Sequence, residues 1–222
     1  MKRILEPELM GDKEQAEAYA HADFEEPHSR VIKLLAAELQ QPRISGRILD
    51  LGCGPGDITF RLARRFPEAT ITAVDGSAAM IELANRRKKR EDAIGRNITF
   101  IEGFIPKVKI PRTTYDLIIS TSFLHHLPDP AILWNTILEY AHSGSKAFVY
   151  DLFRPARKKE AMRIVNHYSG NEPNVLKRDF YHSLLSAFEP KEVEQQLIAA
   201  GIPEFSVKVV SDRHIIIVGI KA

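Results

Sequence analysis

Residues 48–63 read ILDLGCGPGDITFRLA, an apolar run that ends in three alternating glycines and opens into a helical pattern. The run ILDL at 48–51 predicts a buried parallel strand. Ile58, Leu62 and Phe66 recur at four-residue spacing, the mark of one helix face. Gly52 and Gly54 carry no side chains, so a ligand can lie directly on the main chain. The helix that follows Gly56 offers free N–H groups to a carboxylate or phosphate. Cys53 is the one cysteine of the chain. Set between these glycines, it reads as a small residue filling a tight turn rather than as a nucleophile.

The same rhythm continues outward. ATITAVD at 69–75 predicts a second strand, and Ser77 caps a helix holding Met80, Ile81 and Ala84. NITFIEG at 97–103 is strand-like, and YDLIISTSF at 115–123 is apolar enough to be buried on both faces. Asp129 and Pro130 open a helix through Leu133, Ile137 and Tyr140, Gly144 ends that unit, and KAFVYDL at 146–152 predicts a fifth strand. This alternation predicts an α/β fold, a doubly wound Rossmann-like sheet with helices on both faces. After Asp151 the rhythm breaks. Residues 152–188 carry helical-looking segments, and Pro190 opens a helix closed by Gly201. FSVKVVS and HIIIVGIK follow with only Asp212 and Arg213 between them, too little for a crossover helix, so they pair antiparallel. The sheet is therefore expected to have seven strands, mostly parallel with an antiparallel last strand. The expected organisation is a single domain over 1–222. It comprises an N-terminal helical cap (1–43), a cofactor-binding core (44–151), a substrate lid insertion (152–188) and a C-terminal helix with a strand pair (189–222).

Composition narrows the class. The chain has 222 residues, 44% apolar and 27% charged, with a formal net charge of +2. That balance gives no electrostatic case for nucleic acid or an anionic membrane. One cysteine excludes an internal disulfide and a cysteine-rich zinc site. MKRILEPELMGDKEQ lacks the apolar stretch of a secretory signal, and no run approaches the ~20 residues of a membrane span. A cytoplasmic protein without a membrane partner is the expectation, and a homodimer is compatible with it.

Asp75 sharpens the glycine turn. It ends the second strand about 20 residues after the glycines, where an acid in nucleotide-binding α/β folds accepts from ribose hydroxyls. The dinucleotide pattern G-x-G-x-x-G wants glycine at 57, but this chain has Asp57. The two readings are a dinucleotide and an adenosyl ligand without a pyrophosphate.

ILDLGCGPGDITFRLA, AVDGSAAMIELA and YDLIISTSFLHHLPDP, in this order, resemble the class I S-adenosylmethionine-dependent methyltransferases of the small-molecule type. The resemblance covers about residues 44–151, and the tail at 189–222 fits the same fold. It implies S-adenosyl-L-methionine as cofactor and a small-molecule methyl acceptor as partner. By that resemblance Asp50, Gly52, Cys53, Gly54 and Gly56 line the methionine portion. Asp75 binds the ribose with Gly76 and Ser77 beside the adenosine, Met80 joins the cofactor wall, and Ser120 lies near the methyl. One position departs from the family pattern. An acid that bonds the adenine amine usually follows the glycine after the third strand, and here the pair is Gly103 and Phe104. Phe104 can pack against adenine while backbone groups or Glu102 take the polar role.

Several residues could act on the acceptor. His125, after the fourth strand, could be a general base, or it could anchor the LPDP turn. His125 and His126 are adjacent in an irregular turn with no third ligand evident, so no metal is expected. Asp151 could contact substrate or cap the next turn. Arg154 could pair with a substrate carboxylate or face solvent. Tyr168, Tyr181 and His182 in the lid and Tyr19 in the cap are expected to line the acceptor pocket. The basic run RRKKR at 86–90 reads as a solvated face near a helix C-terminus. The rivals are a tRNA or rRNA methyltransferase, a non-catalytic S-adenosylmethionine-binding protein and an NAD-dependent oxidoreductase. The N/D-P-P-Y/F signature of amino-methylating nucleic-acid enzymes is absent, its place taken by Ser120–Phe123.

Overall fold

The computed structural model describes residues 1–6, 16–17, 25–39, 43–111, 113–170 and 172–222. Seven strands form one sheet: β1 (Arg47–Leu51), β2 (Thr70–Asp75), β3 (Ile98–Glu102), β4 (Tyr115–Thr121), β5 (Ala141–Leu152), β6 (Ser206–Val209) and β7 (His214–Ile220). Their order is β3-β2-β1-β4-β5-β7-β6. Pairings from β3 through β5 are parallel, and β7 runs antiparallel to both β5 and β6. The expected doubly wound sheet with a reversed last strand is therefore present. Strand order reverses between β1 and β4, so their carboxyl ends flank the crevice where such sheets bind ligands.

The helices are α1 (Glu25–Leu39), α2 (Asp57–Arg65), α3 (Ala78–Arg90), α4 (Asp92–Gly95), α5 (Ala131–Tyr140), α6 (Lys158–Tyr168), α7 (Asn174–Ser186) and α8 (Pro190–Ala199). A 3-10 turn covers Leu124–His126. Successive strand residues point to opposite faces, so the apolar runs feed two cores. Leu49, Leu51, Ile118, Val149 and Ile217 bury one face with Trp134 and Leu197. Ile48, Leu117, Ile119, Phe148 and Ile216 bury the other with Phe60, Leu62 and Leu35 of α1. Both faces are covered, which is why these strands read as continuous apolar runs rather than as alternations.

Two sequence expectations change. Gly144 does not end a helix–loop unit: α5 stops at Tyr140 and β5 starts at once, with Gly144 inside it. Ala141 lies opposite Tyr115 and Lys146 opposite Leu117, so the intervening residues bulge out. The bulge keeps its polar groups satisfied. Ser145 Oγ donates to the Tyr115 carbonyl at 2.7 Å, and the Gly144 N–H donates to the Lys221 carbonyl at 2.8 Å. The basic run at 86–90 is also not simply solvated. Arg87 pairs with Asp57 and Glu91 and lies over the Phe60 ring, and Lys88 Nζ donates to the Ile98 carbonyl.

Candidate functional site

A cleft of about 1460 Å³ opens at the carboxyl ends of β1, β2, β4 and β5. The turn after β1 forms its floor. The N–H groups of Gly52 and Cys53 both donate to the Val74 carbonyl, at 2.8 and 3.0 Å. Gly52 has φ 75°, and a Cβ there would meet the Phe123 ring at 2.4 Å. Only glycine fits this position.

Asp75 closes the turn from β2. Its Oδ2 accepts from the Gly54 N–H and its Oδ1 from the Ser77 N–H, each at 2.8 Å. Each oxygen keeps a free lone pair, and the side chain lines the cleft. Burial holds its pKa above the usual carboxylate range, against the pull of those two donors. Ser77 caps α3 by accepting from the Met80 N–H. Gly76, Ser77, Met80, Gly103 and Phe104 form the adjoining wall. Phe104 is 57% exposed and lies so close over Gly76 that a Cβ there would meet its ring at 2.4 Å. Glu102 faces solvent and does not line the cleft, so it supplies no replacement acid on this wall.

Asp50 is fully buried at the end of β1. Its Oδ2 accepts from Thr59 Oγ1 at 2.6 Å, and its Oδ1 has no hydrogen-bond partner among the described residues. Burial pushes this carboxyl up to about 7, the Asp75 charge adds to the rise, and the Thr59 bond opposes it. Asp50 does not itself line the cleft; its unpartnered oxygen lies next to the glycine turn, and a ligand ammonium reaching it would supply the missing partner.

Cys53 lines the cleft but is 7% exposed and packs with Ala73, Ile81 and Phe100. Burial raises its thiol well above the ordinary range, so the thiolate is not available. Cys53→Ala is expected to cost about 0.5–1.5 kcal/mol of stability, as for one buried methyl-sized group. S-adenosylhomocysteine affinity in a calorimetric titration should stay within about twofold, because only the Cys53 backbone shapes the turn. An affinity loss beyond tenfold with an intact fold would return the thiol to the chemistry.

Asp57, the residue that breaks the dinucleotide pattern, is consumed by structure. It accepts from Arg61 and Arg87 at 2.8 Å each and contacts His28 Nδ1 at 2.6 Å. These partners overcome its burial and hold the carboxyl far below its ordinary value. The cluster ties α1, α2 and α3 together at the rim of the cleft.

Beyond the turn the cleft runs past Ser122, at φ 51° a side-chain-bearing residue in left-handed backbone, to His125 and His126. His125 is 3% exposed, and its Nδ1 lies 2.6 Å from Asp151 Oδ1. The same carboxylate accepts the N–H groups of Phe123, Leu124 and Leu152 at 2.7–2.8 Å. Burial would raise Asp151, but His125, His126 and the Leu152 N–H keep it below the usual range. His125 in turn is raised by Asp151 against its own burial. Glu6 crosses from the N-terminal segment to form an ion pair with His126 Nδ1, and it accepts from Ser183 Oγ at 2.5 Å. Tyr150, Leu152, Tyr168, Phe180 and His214 line the far wall. His214 stacks on Tyr150 at 4.6 Å, and burial together with Arg213 pushes it down to about 3, so it is neutral.

The structure therefore brings together Gly52, Cys53, Gly54, Asp75, Gly76, Ser77, Met80, Gly103, Phe104, His125 and Tyr168 on one cleft. Other candidates lie elsewhere. Ser120 is fully buried with its hydroxyl donating to the Leu51 carbonyl, so it braces β4 against β1 and does not line the cleft. Gly56 also lies off the cleft wall, where its N–H closes the turn onto the Cys53 carbonyl. Asp151 does not face the cleft either; it acts on the site through His125. Arg154 is 4% exposed and bonds the carbonyls of Met1 and Ala187 and the carboxylates of Glu189 and Glu192, leaving it committed to the scaffold rather than to a substrate. Tyr181 packs on the Leu152–Ile164–Leu184 cluster, and neither it nor His182 lines the cleft. Tyr19 lies outside the described residues. Glu6, Tyr150 and His214 had no local signal: each is placed by a long-range contact that no spacing rule encodes.

Residues 48–143 match the family model described as a methyltransferase domain, in agreement with the three ordered motifs and the sheet order. Among its relatives, the malonyl-[acyl-carrier protein] O-methyltransferase of Paenibacillus sp. (strain JDR-2) is 30% identical over 189 residues, covering 78% of this chain and 64% of the relative. The trans-aconitate 2-methyltransferase of Mycobacterium ulcerans is 41% identical over 97 residues, covering 42% of this chain and 33% of the relative. This chain thus spans less than two thirds of either relative's length. The same fold occurs in the plantazolicin methyltransferase BpumL in complex with SAH, with a TM-score of 0.73 at 16% identity over 95% of this chain and 91% of that one. It also occurs in a SAM-dependent methyltransferase from Aquifex aeolicus, with a TM-score of 0.68 at 16% identity over 93% of this chain and 97% of that one. Among the described residues no helix is long and apolar enough to cross a membrane.

Proposed function

We propose that this chain transfers a methyl group from S-adenosylmethionine to a small-molecule acceptor bound between the histidine turn and helices α6 and α7. The observation that carries the reading is the pair of carboxylates beside the glycine turn. Asp75 is pinned by Gly54 and Ser77 with lone pairs to spare, and Asp50 has one oxygen unpartnered. The cofactor supplies a methyl already activated on a sulfonium, so the protein's task is to align donor and acceptor. Asp75 accepts from the ribose hydroxyls, and the Asp50 oxygen meets the methionine ammonium. Phe104 and Gly76 flank the adenine without an acid at 104. His125, its ring fixed by Asp151, touches the acceptor. Residues 152–188 act as a lid whose Tyr168, Leu176 and Phe180 shield the reacting atoms from water. Titration calorimetry with S-adenosylhomocysteine tests the reading: one equivalent should bind, and no heat at millimolar ligand would sink it.

A proton should accompany this binding. Asp50 sits near 7 in the unliganded protein, and an ammonium partner favours its ionised form. Below that value binding therefore expels a proton, and affinity climbs as pH rises towards it and then levels off. The linkage also acts on stability. A carboxyl raised on folding stabilises the unliganded protein at acid pH, and that contribution is lost as pH rises from about 4 through 7. Calorimetry at about pH 6 in two buffers of different ionisation enthalpy should report proton release that is absent in Asp50→Asn. Buffer-independent heats in the unaltered protein would contradict the assignment.

A further inference from the structure

We infer that Glu6, His125 and His126 form a binding site for one divalent transition-metal ion at the acceptor end of the cleft. One ligand atom from each of the three side chains lies within 4.8 Å of the other two. Neighbouring ligands of an ion at ~2.1 Å stand ~3.0–3.4 Å apart, so closure over an ion draws the more distant atoms in and parts the direct Glu6 Oε2–His126 Nδ1 contact by up to about 1 Å. The sequence offers two adjacent histidines with no third partner; the fold supplies the third by laying the N-terminal segment across the turn.

The surroundings match a metal centre in three respects. Two imidazoles and one carboxylate are the donor set of iron, cobalt, zinc or manganese rather than of calcium or magnesium. Second, the ligands are oriented from behind. The His125 Nδ1 is held by Asp151, which is itself fixed by three backbone N–H groups, and this leaves Nε2 as the coordinating atom. Glu6 Oε1 is held by Ser183, which leaves Oε2 for the ion. Third, the turn that carries the histidines is pinned: Arg3 donates to the carbonyls of His125 and Leu127 at 3.0 and 2.8 Å. The Arg3 guanidinium is thus spent on carbonyls, and the carboxylates Glu6 and Asp151 balance the added charge.

All three ligands line the cleft, and three ligands leave coordination positions open. Those positions suit an acceptor that offers an oxygen or nitrogen lone pair, such as a hydroxy or carboxylic acid, which the ion would hold and help to deprotonate. That role rests on the methyl-transfer reading, whereas ion binding does not. The simpler arrangement, a Glu6–His126 ion pair with no ion, is the outcome the test must separate.

The test uses the full chain, stripped with a chelator and dialysed against Co²⁺ or Zn²⁺ alone. One ion per chain should be retained, and the Co²⁺ form should show visible absorption bands of nitrogen ligation. Glu6→Gln and His126→Ala should each weaken retention at least about tenfold. His126→Gln replaces the alanine variant if that variant melts early. S-adenosylhomocysteine titrated into each protein reports on the fold and on the cofactor reading separately. No retained ion in the unaltered protein, or retention unchanged in both variants, would overturn the site even where S-adenosylhomocysteine still binds. Failure of S-adenosylhomocysteine to bind a protein that retains the ion would instead overturn the cofactor reading.

Discussion

Asp151→Ala is expected to destabilise the protein by about 3–5 kcal/mol, the range for removing one partner from a buried charged pair. Asp151 is 1% exposed and answers four donors at once: the N–H groups of Phe123, Leu124 and Leu152, and the His125 ring. Alanine leaves three N–H groups without an acceptor in a site closed to water, and it strips the imidazole of its charge partner. Each orphaned group costs about 1–3 kcal/mol when no water can reach it. Domains of this kind have only about 5–15 kcal/mol in total, so the effect is a large share of the whole. For a chain of this length it corresponds to a melting temperature lower by about 6–20 °C. Asp151→Asn keeps the shape and one acceptor oxygen but turns an amide N–H₂ towards a donor, so it should fall between. A loss under about 1 kcal/mol for the alanine variant, read by thermal melting, would mean that the turn is held by something else.

Asp75→Ala is expected to weaken S-adenosylhomocysteine binding by about 10–100-fold in calorimetry, the equivalent of a charge-assisted hydrogen bond worth about 1.5–3 kcal/mol. The carboxylate has two jobs. It clamps the Gly54 and Ser77 N–H groups, and it presents its remaining lone pairs to the cleft. Asp75→Asn separates them, since the amide can still accept from one N–H but offers no charge to the ribose hydroxyls. It should keep the melting temperature closer to that of the unaltered protein while losing most of the affinity. Binding within about twofold of the unaltered protein in both variants would place the ribose elsewhere.

Much of this was legible before any coordinates because it is local. A strand buried on both faces must be largely apolar, and Leu117–Ile119 is, as is Ile48–Leu51 apart from Asp50. A main chain that must turn under a ligand needs glycine, and position 52 has it. An acid at the end of β2 and a serine at the start of α3 follow from the same short βαβ unit. What escaped the sequence is what depends on distant partners. Arg154 looks like any surface arginine until the fold lays residues 1–6 and the start of α8 around it. Glu6 is one acid among many until it meets His126 across the cleft. The β5 bulge has no sequence signature, because its polar groups are satisfied by Tyr115 and Lys221, far away in the chain. Ser120 ends the right strand, but its hydroxyl found a carbonyl within the sheet and turned from the cleft.

The most direct measurement of the central claim is a crystal structure with S-adenosylhomocysteine bound. The adenosyl group should lie along Gly52–Gly54 and Gly76, with both ribose hydroxyls on Asp75, the ammonium within hydrogen-bond reach of Asp50 Oδ1, and the sulfur facing the His125 end of the cleft. A ligand seated away from the glycine turn, or one with its ribose turned from Asp75, would contradict the account.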